Sequence, residues 1–236
     1  MGNRVLIAGI FLSIIFGFMS YVVCNNWIAS IVICGLSILH FSILIYRRIK
    51  EYDEKLFRCN ESYYFINNFI VSLSIKGSIQ ASLEHAILGG SDDFKDEIDC
   101  VHDLSDIEKI LYLKKYFHFK SYQLFVDIIF LWMDEGGNIL EMTGYLTNLL
   151  RNEEEYISFS KLQNKRVLTE FCVLWAFSLG ILFSLRFVLH EFYSMILKQD
   201  IYPLLVGSVF LFVMFSIELL SRRICNIQIK GWNYEK

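Results

Sequence analysis

The chain has 236 residues, 55% of them hydrophobic and 16% aromatic, with a single proline and a formal net charge of −3. A water-soluble domain of this composition would have too little polar surface to cover its core, so membrane insertion is the first expectation. Six cysteines without a C-x-x-C pair read as buried small apolar groups and argue against a zinc site or a disulfide frame.

Four stretches, Val5–Val23, Trp27–Tyr46, Val167–Leu189 and Ile201–Leu220, each match the roughly 20 residues that cross about 30 Å of hydrocarbon. The first has a competing reading as a cleaved signal peptide. Val23 stands where a small residue is needed, and a second span follows after only Cys24-Asn25-Asn26, so an uncleaved hairpin is the better reading. Leu6 occupies the position where myristoylation requires Ser or Thr. Arg4, the fifteen basic residues of Arg47–Arg166, and Arg222, Arg223, Lys230 and Lys236 fall on one side, against Lys198 and Arg186 on the other. The charge bias places both termini and the central block in the cytoplasm.

That block carries twenty acids against fifteen bases and no basic stripe with interleaved aromatics, which disfavours nucleic-acid binding. It contains no proline and reads as helical throughout, with breaks marked by cap chemistry. Gly77-Ser78 and Gly89-Gly90-Ser91 each read as a helix end followed by an N-cap, and Ser105-Asp106-Ile107-Glu108 reads as a capping box. Asn138 followed by Glu141 has the same reciprocal logic. Phe65, Phe69 and Leu73 precede Gly77 at helical spacing, as Phe125, Ile129 and Met133 precede Gly137. Aligning Gly77 on Gly137 also superimposes Ile66 on Val126, Ile70 on Phe130, Val71 on Leu131 and Ile79 on Ile139, a weak repeat of one helix–Gly–cap–helix unit. From Asn138 the helical pattern carries no stop signal through Leu146, Leu149 and Arg151 into the third span, and Tyr46 leads directly into Arg47-Arg48-Ile49-Lys50.

No P-loop or G-x-S-x-G is present, His190-Glu191 lacks a second zinc-binding His, and the five histidines are scattered. No catalytic set, metal or cofactor is expected. The acids Asp92, Asp93, Asp96, Glu97, Asp99, Asp103, Asp106 and Glu108 read either as a docking face for a basic partner or as a solvated helix surface. Three of them, Asp92, Asp93 and Asp106, sit near predicted helix N-termini, where negative charge is favoured locally. Within the spans, Glu170 and Glu218 near the cytoplasmic ends and Arg186 near the outer end are placed to snorkel, while His40 lies deeper. No continuous chain of ionisable groups crosses the membrane, which counts against a proton-driven transporter. Asp134-Glu135-Gly136-Gly137 reads as an acid pair or as a helix–helix corner. The corner is favoured, with glycine closing one helix, Asn138 capping the next, and Glu135 as the contact residue.

Two segments, FIVSLSIKGSIQASLEHA (Phe69–Ala86) and MDEGGNILEMTGYLTNLLR (Met133–Arg151), resemble the motifs that open and close the cytoplasmic domain of the integral-membrane platform proteins of type II secretion and type IV pili, in particular the tight-adherence pilus branch. The layout of two spans, one such domain and two spans is similar to that branch. The resemblance implies an all-α integral membrane protein: a transmembrane hairpin over 1–46, a cytoplasmic bundle of about six helices over 47–166, and a second hairpin with a short cytoplasmic tail over 167–236. It implies a non-enzymatic scaffold in the inner (cytoplasmic) membrane that couples a cytoplasmic assembly ATPase to polymerisation of pilin or pseudopilin subunits, as an oligomer with itself or a related platform protein. Gly77, Ser78, Glu84, Glu135, Gly136, Gly137, Asn138, Glu141 and Arg151 are then the structural and interaction positions. The rival classes are a small transporter or channel and a membrane-anchored adaptor.

Overall fold

A computed structural model describes residues 2–188, 190–199 and 201–225. The side chains of 2–5, 8, 185, 190 and 192 lie outside this description, as does the tail from 226 onward with Lys230 and Lys236. The charge expectations placed on Arg4, Lys230 and Lys236, and the His190 side chain, therefore fall outside the described residues.

Every regular element among the described residues is a helix. In chain order these are α1 (Gly2–Cys24), α2 (Trp27–His40), a π-helical segment (Phe41–Ile45), α3 (Tyr46–Lys76), α4 (Ile79–Leu88), α5 (Asp92–Asp99), α6 (Asp106–Phe117), α7 (Lys120–Glu135), α8 (Ile139–Met142), α9 (Gly144–Val188), α10 (His190–Leu197) and α11 (Tyr202–Cys225). The chain forms two compact units, one of Met1–Asp53 with Lys161–Ile227 and one centred on Glu54–Ser160, so the boundaries fall inside α3 and α9.

In the first unit, α1 and α2 join through two residues. Asn25 takes the left-handed conformation at φ 49°, and the Asn26 side chain accepts from the N–H groups of Ile28 and Ala29 at 3.0 and 3.4 Å. Asn is among the few residues that visit that φ readily, and the single Asn26 cap satisfies two amides that would otherwise be orphaned. Phe16, Val23, Ile33, Phe41 and Ile45 pack against Val206, Phe210, Val213 and Met214 of α11. The outside of this unit is apolar: Phe11, Phe18, Ile31, Phe177 and Phe212 are all exposed. Such a surface has its favourable surroundings in lipid. Among the described residues, Trp27–Lys76, Gly144–Val188 and Tyr202–Cys225 contain stretches long and apolar enough to cross a membrane, and Gly9–Cys24 is a shorter apolar helix. No disulfide joins the cysteines among the described residues. Cys24 and Cys59 are buried as expected, but Cys100 and Cys172 are exposed, which corrects the reading of the whole set as buried groups.

The second unit buries an aromatic core. Phe65, Phe69, Phe94, Phe117, Tyr122 and Phe125 are nearly inaccessible, joined by Leu73, Leu113 and Leu146. The expected apolar spacing holds for Phe65, Phe69, Leu73, Phe125 and Ile129, whereas Met133, at the end of α7, is exposed. Phe65 and Phe125, equivalent positions of the proposed repeat, meet edge to face with centroids 6.2 Å apart. Seven helical segments contribute to this unit among the described residues, one of them the four-residue α8, where about six were expected. The expected uninterrupted helix from Asn138 is broken. Thr143 forms a turn between α8 and α9, its hydroxyl donating to the Ile139 carbonyl at 2.7 Å. The Ser105 capping box forms in both directions, Ser105 N–H to Glu108 Oε2 at 2.9 Å and Glu108 N–H to Ser105 Oγ at 3.4 Å. The Ser105 hydroxyl, which donates to Glu108 Oε2 at 2.7 Å, and the Ser105 N–H hold the Glu108 carboxyl below its ordinary range. Burial pushes the Glu153 carboxyl up, offset in part by the Tyr63 hydroxyl that donates to it at 2.6 Å.

The α1–α2 contact generates a test. A Cβ added at Gly17 would come 2.9 Å from Cys34 Cβ, an atom fixed to the α2 backbone. Gly17→Val is expected to cost the hairpin about 1–3 kcal/mol through overpacking. The readout is a lowered thermal midpoint of the detergent-purified chain, with the inserted amount unchanged.

Candidate functional site

The Asp134–Asn138 stretch is a helix–helix corner. Helix α7 ends at Glu135, and Gly136 N–H closes its last turn on the Trp132 carbonyl at 2.8 Å. Gly136 has φ 71° and ψ −159°, a region essentially reserved for glycine, and Gly137 follows at φ 107°. Helix closure therefore falls on Gly136, one residue before the expected Gly137. Trp132 Nε1 donates to the Gly137 carbonyl at 3.1 Å and ties the corner back onto α7. Asn138 caps α8 as expected, but its Oδ1 accepts from Leu140 N–H at 3.0 Å. Glu141 accepts from the Asn138 side-chain amide at 3.5 Å, so neither reciprocal bond of the expected capping box forms among the described contacts.

The corner at Gly77-Ser78 follows the same scheme with one residue fewer. Gly77 sits at φ 63° and its N–H bonds the Leu73 carbonyl at 2.9 Å, while Ser78 Oγ accepts from Ala81 N–H at 3.5 Å. Glu84 lies exposed one helical turn on and accepts from Gln80 at 3.3 Å. Arg151 is exposed on α9 and pairs with Glu155 at 3.2 Å. Asp134, Glu135 and Glu141 are exposed, and no ion pair among the described residues involves Asp134 or Glu135. No group of three or more His, Cys, Asp or Glu among the described residues is placed to hold a metal ion.

A second polar constellation lies in the first unit. Glu218 is 6% exposed, so it does not snorkel as expected. Its Oε1 accepts from Arg48 at 2.9 Å and from Arg222 Nε at 3.0 Å, while His40 Nε2 stands 3.7 Å from its Oε2. Arg48 also donates to Ser221 Oγ at 3.0 Å. Glu218 Oε2 and His40 Nδ1 have no hydrogen-bond partner among the described residues. Glu170, by contrast, is exposed and pairs with Arg166 at 2.9 Å. His40 and Glu218 each stood out in the sequence as polar groups in apolar helices, but nothing there joined them to each other or to Arg48.

Comparison of the chain with family models, with curated proteins and with solved structures found no match.

Two measurements follow. No atom lies within 4 Å of a Cβ built at Gly77 or Gly136, so alanine there costs only backbone strain, about 1–3 kcal/mol at Gly136 and about 1–2 at Gly77. Chemical denaturation of the purified chain should rank Gly136→Ala below Gly77→Ala. Arg48 has 27% of its side chain exposed and Arg222 has 65%, so Arg48 supplies the better-shielded bond to Glu218. Arg48→Ala should cost about 1.5–3 kcal/mol and Arg222→Ala less, and adding Glu218→Gln to Arg48→Ala should recover part of the loss in a thermal-shift cycle.

Proposed function

We propose that the chain is a non-enzymatic platform protein of the inner (cytoplasmic) membrane, of the type II secretion and type IV pilus kind and nearest the tight-adherence branch. On this reading it has four transmembrane helices, a cytoplasmic helical head, and both termini in the cytoplasm. It couples a cytoplasmic assembly ATPase to polymerisation of pilin or pseudopilin subunits, working as an oligomer with itself or a related membrane protein. The observation that carries the reading is the pair of glycine-closed, Ser- or Asn-capped corners, Gly77-Ser78 and Gly136-Gly137-Asn138, on the two segments whose sequences resemble the platform motifs. Supporting it, α9 runs for 45 residues, about 68 Å at 1.5 Å per residue. Force applied to the head is then carried by α3 and α9, whose helical backbones resist bending where a Gly/Ser linker would not.

A channel is less favoured. The outward positions of the apolar helices are large hydrophobics such as Phe177, Ile181 and Phe212, and the serines Ser178, Ser184 and Ser216 bond the carbonyls four residues back. Those hydroxyls are spent within their own helices and do not line a polar path.

Gly137→Val is the test of the corner in its setting. The expected result is normal membrane insertion with loss of pilus assembly or secretion in the native strain, and an assembling strain would remove the corner from the mechanism. In the same strain, a cysteine placed at Glu97 should be blocked only by membrane-permeant maleimide. Labelling by an impermeant reagent in intact cells would sink both the orientation and the ATPase-facing role.

A further inference from the structure

We propose that the Glu54–Ser160 unit carries a receptor pocket for one basic side chain, preferentially arginine, of a protein partner. A cavity of about 280 Å³ opens between α3 and the α4–α5 junction, walled by Phe57, Tyr64, Phe65 and Phe94, with Glu61 and the Gly89-Gly90 backbone completing it. Small-molecule sites occupy roughly 300–1,000 Å³, so this volume suits a single long side chain better than a cofactor.

Glu61 gives the pocket its chemistry. It is 7% exposed. One carboxylate oxygen accepts from Ser91 N–H at 3.1 Å and from the Ser91 hydroxyl, and the other accepts from the Tyr116 hydroxyl at 3.0 Å. These neutral donors orient the carboxylate without bringing a cation to it. Among the described residues no Lys, Arg or His stands within ion-pair reach of Glu61. The nearby guanidinium of Arg58 is engaged elsewhere, bonded to Glu54 at 3.3 Å and seated 5.1 Å over the Tyr116 ring. That stack realises beside the pocket the interaction that the aromatic walls offer to an incoming cation.

Charge complementarity selects the occupant. Ser91 leads into Asp92 and Asp93, both exposed, and the acids continue through Asp96, Glu97 and Asp99. A basic side chain meets attraction at the rim, ring faces along the walls and a carboxylate inside, whereas an acidic one is repelled at each stage. Phe57 and Tyr64, 49% and 67% exposed, have no burial of their own that explains them, and they lie where the alkyl stem of an arginine would rest. Gly90 makes the wall possible, since a Cβ there would stand 2.4 Å from the Phe94 ring. This inference stands apart from the platform reading, because any basic partner satisfies it.

The experiment uses the purified full chain in phosphatidylcholine nanodiscs at low salt. The probes are an acetylated Gly-Arg-Gly-Arg-Gly amide and the same peptide with citrulline, which keeps the shape and removes the charge. The arginine peptide should bind at least about tenfold more tightly than the citrulline peptide. Tyr64→Ala should weaken it about two- to fivefold and Glu61→Gln by about tenfold. Replacing both Asp99 and Asp103 by Asn should change it less than about twofold. Equal binding of the citrulline peptide overturns the proposal, as does arginine binding that ignores Tyr64 and Glu61 but vanishes in Asp92→Asn/Asp93→Asn. Displacement by spermidine at matched concentration would reassign the pocket to free polyamines and also overturn it. Should Glu61→Gln fail to fold, Tyr64→Ala and Phe57→Ala decide the matter, since both rings are exposed.

Discussion

Phe65 is the point on which the helical head is built. Its ring lies within 5.8–6.2 Å of Phe69, Phe94, Phe117, Tyr122 and Phe125, so residues from α3, α5, α6 and α7 converge on one side chain. Aromatic pairs at such separations add to ordinary area burial, and their edge-to-face preferences restrict how the helices rotate. The Phe65–Phe125 and Phe69–Phe125 pairs, at 87° and 85°, lock α3 against α7 about two to three turns before each helix reaches its glycine. The two corners are thereby presented by helices already held in register. Their glycines need only turn the chain, which is why open space surrounds both.

Charge is distributed in two ways that differ in consequence. Arg47–Glu51, Arg151–Glu155 and Arg166–Glu170 are exposed i,i+4 pairs, each contributing a few tenths of a kcal/mol and screened by salt. Glu61 and Glu218 are buried carboxylates, and each is held by several donors because burial of a carboxylate is costly otherwise. Glu218 is met by two arginines, so its charge is compensated where it lies. Glu61 is met by hydroxyls and an amide, so its charge is oriented while no ion pair among the described residues involves it. The first arrangement suits a fastening within a unit, the second a receptor.

How much of this was legible in the sequence follows from the range of each interaction. Ser78, Ser91, Ser105 and Asn138 all act as N-caps, because capping depends on residues two or three places away and leaves a local signature. The apolar spacing of Phe65, Phe69 and Leu73 likewise reports the buried face of α3. Thr143 gave no warning of the break after α8, since threonine is ordinary in helices until its hydroxyl bonds a carbonyl one turn back. Met133 fitted the apolar period but lies at the end of α7, past the packed core. Closure at Gly136 in place of Gly137 is a one-residue shift within adjacent glycines, which residue type cannot distinguish. Glu61 was invisible because an acid in a charged, aromatic helix reads as surface, and the Glu218 cluster because its members are distant in the chain.

The π-helical segment Phe41–Ile45 has a geometric effect on that cluster. In an unbroken α-helix, the eight positions from His40 to Arg48 would turn them about 80° apart around the axis, at about 100° per residue. A π turn absorbs one extra residue, which leaves about seven effective steps and brings the two side chains to within about 20° of a common face. Both then reach Glu218, at 3.7 and 2.9 Å. The widened turn acts as a vernier: a single surplus residue sets the azimuth of everything that follows it, aligning an arginine at the start of the charged part of the helix with a histidine set within its apolar part.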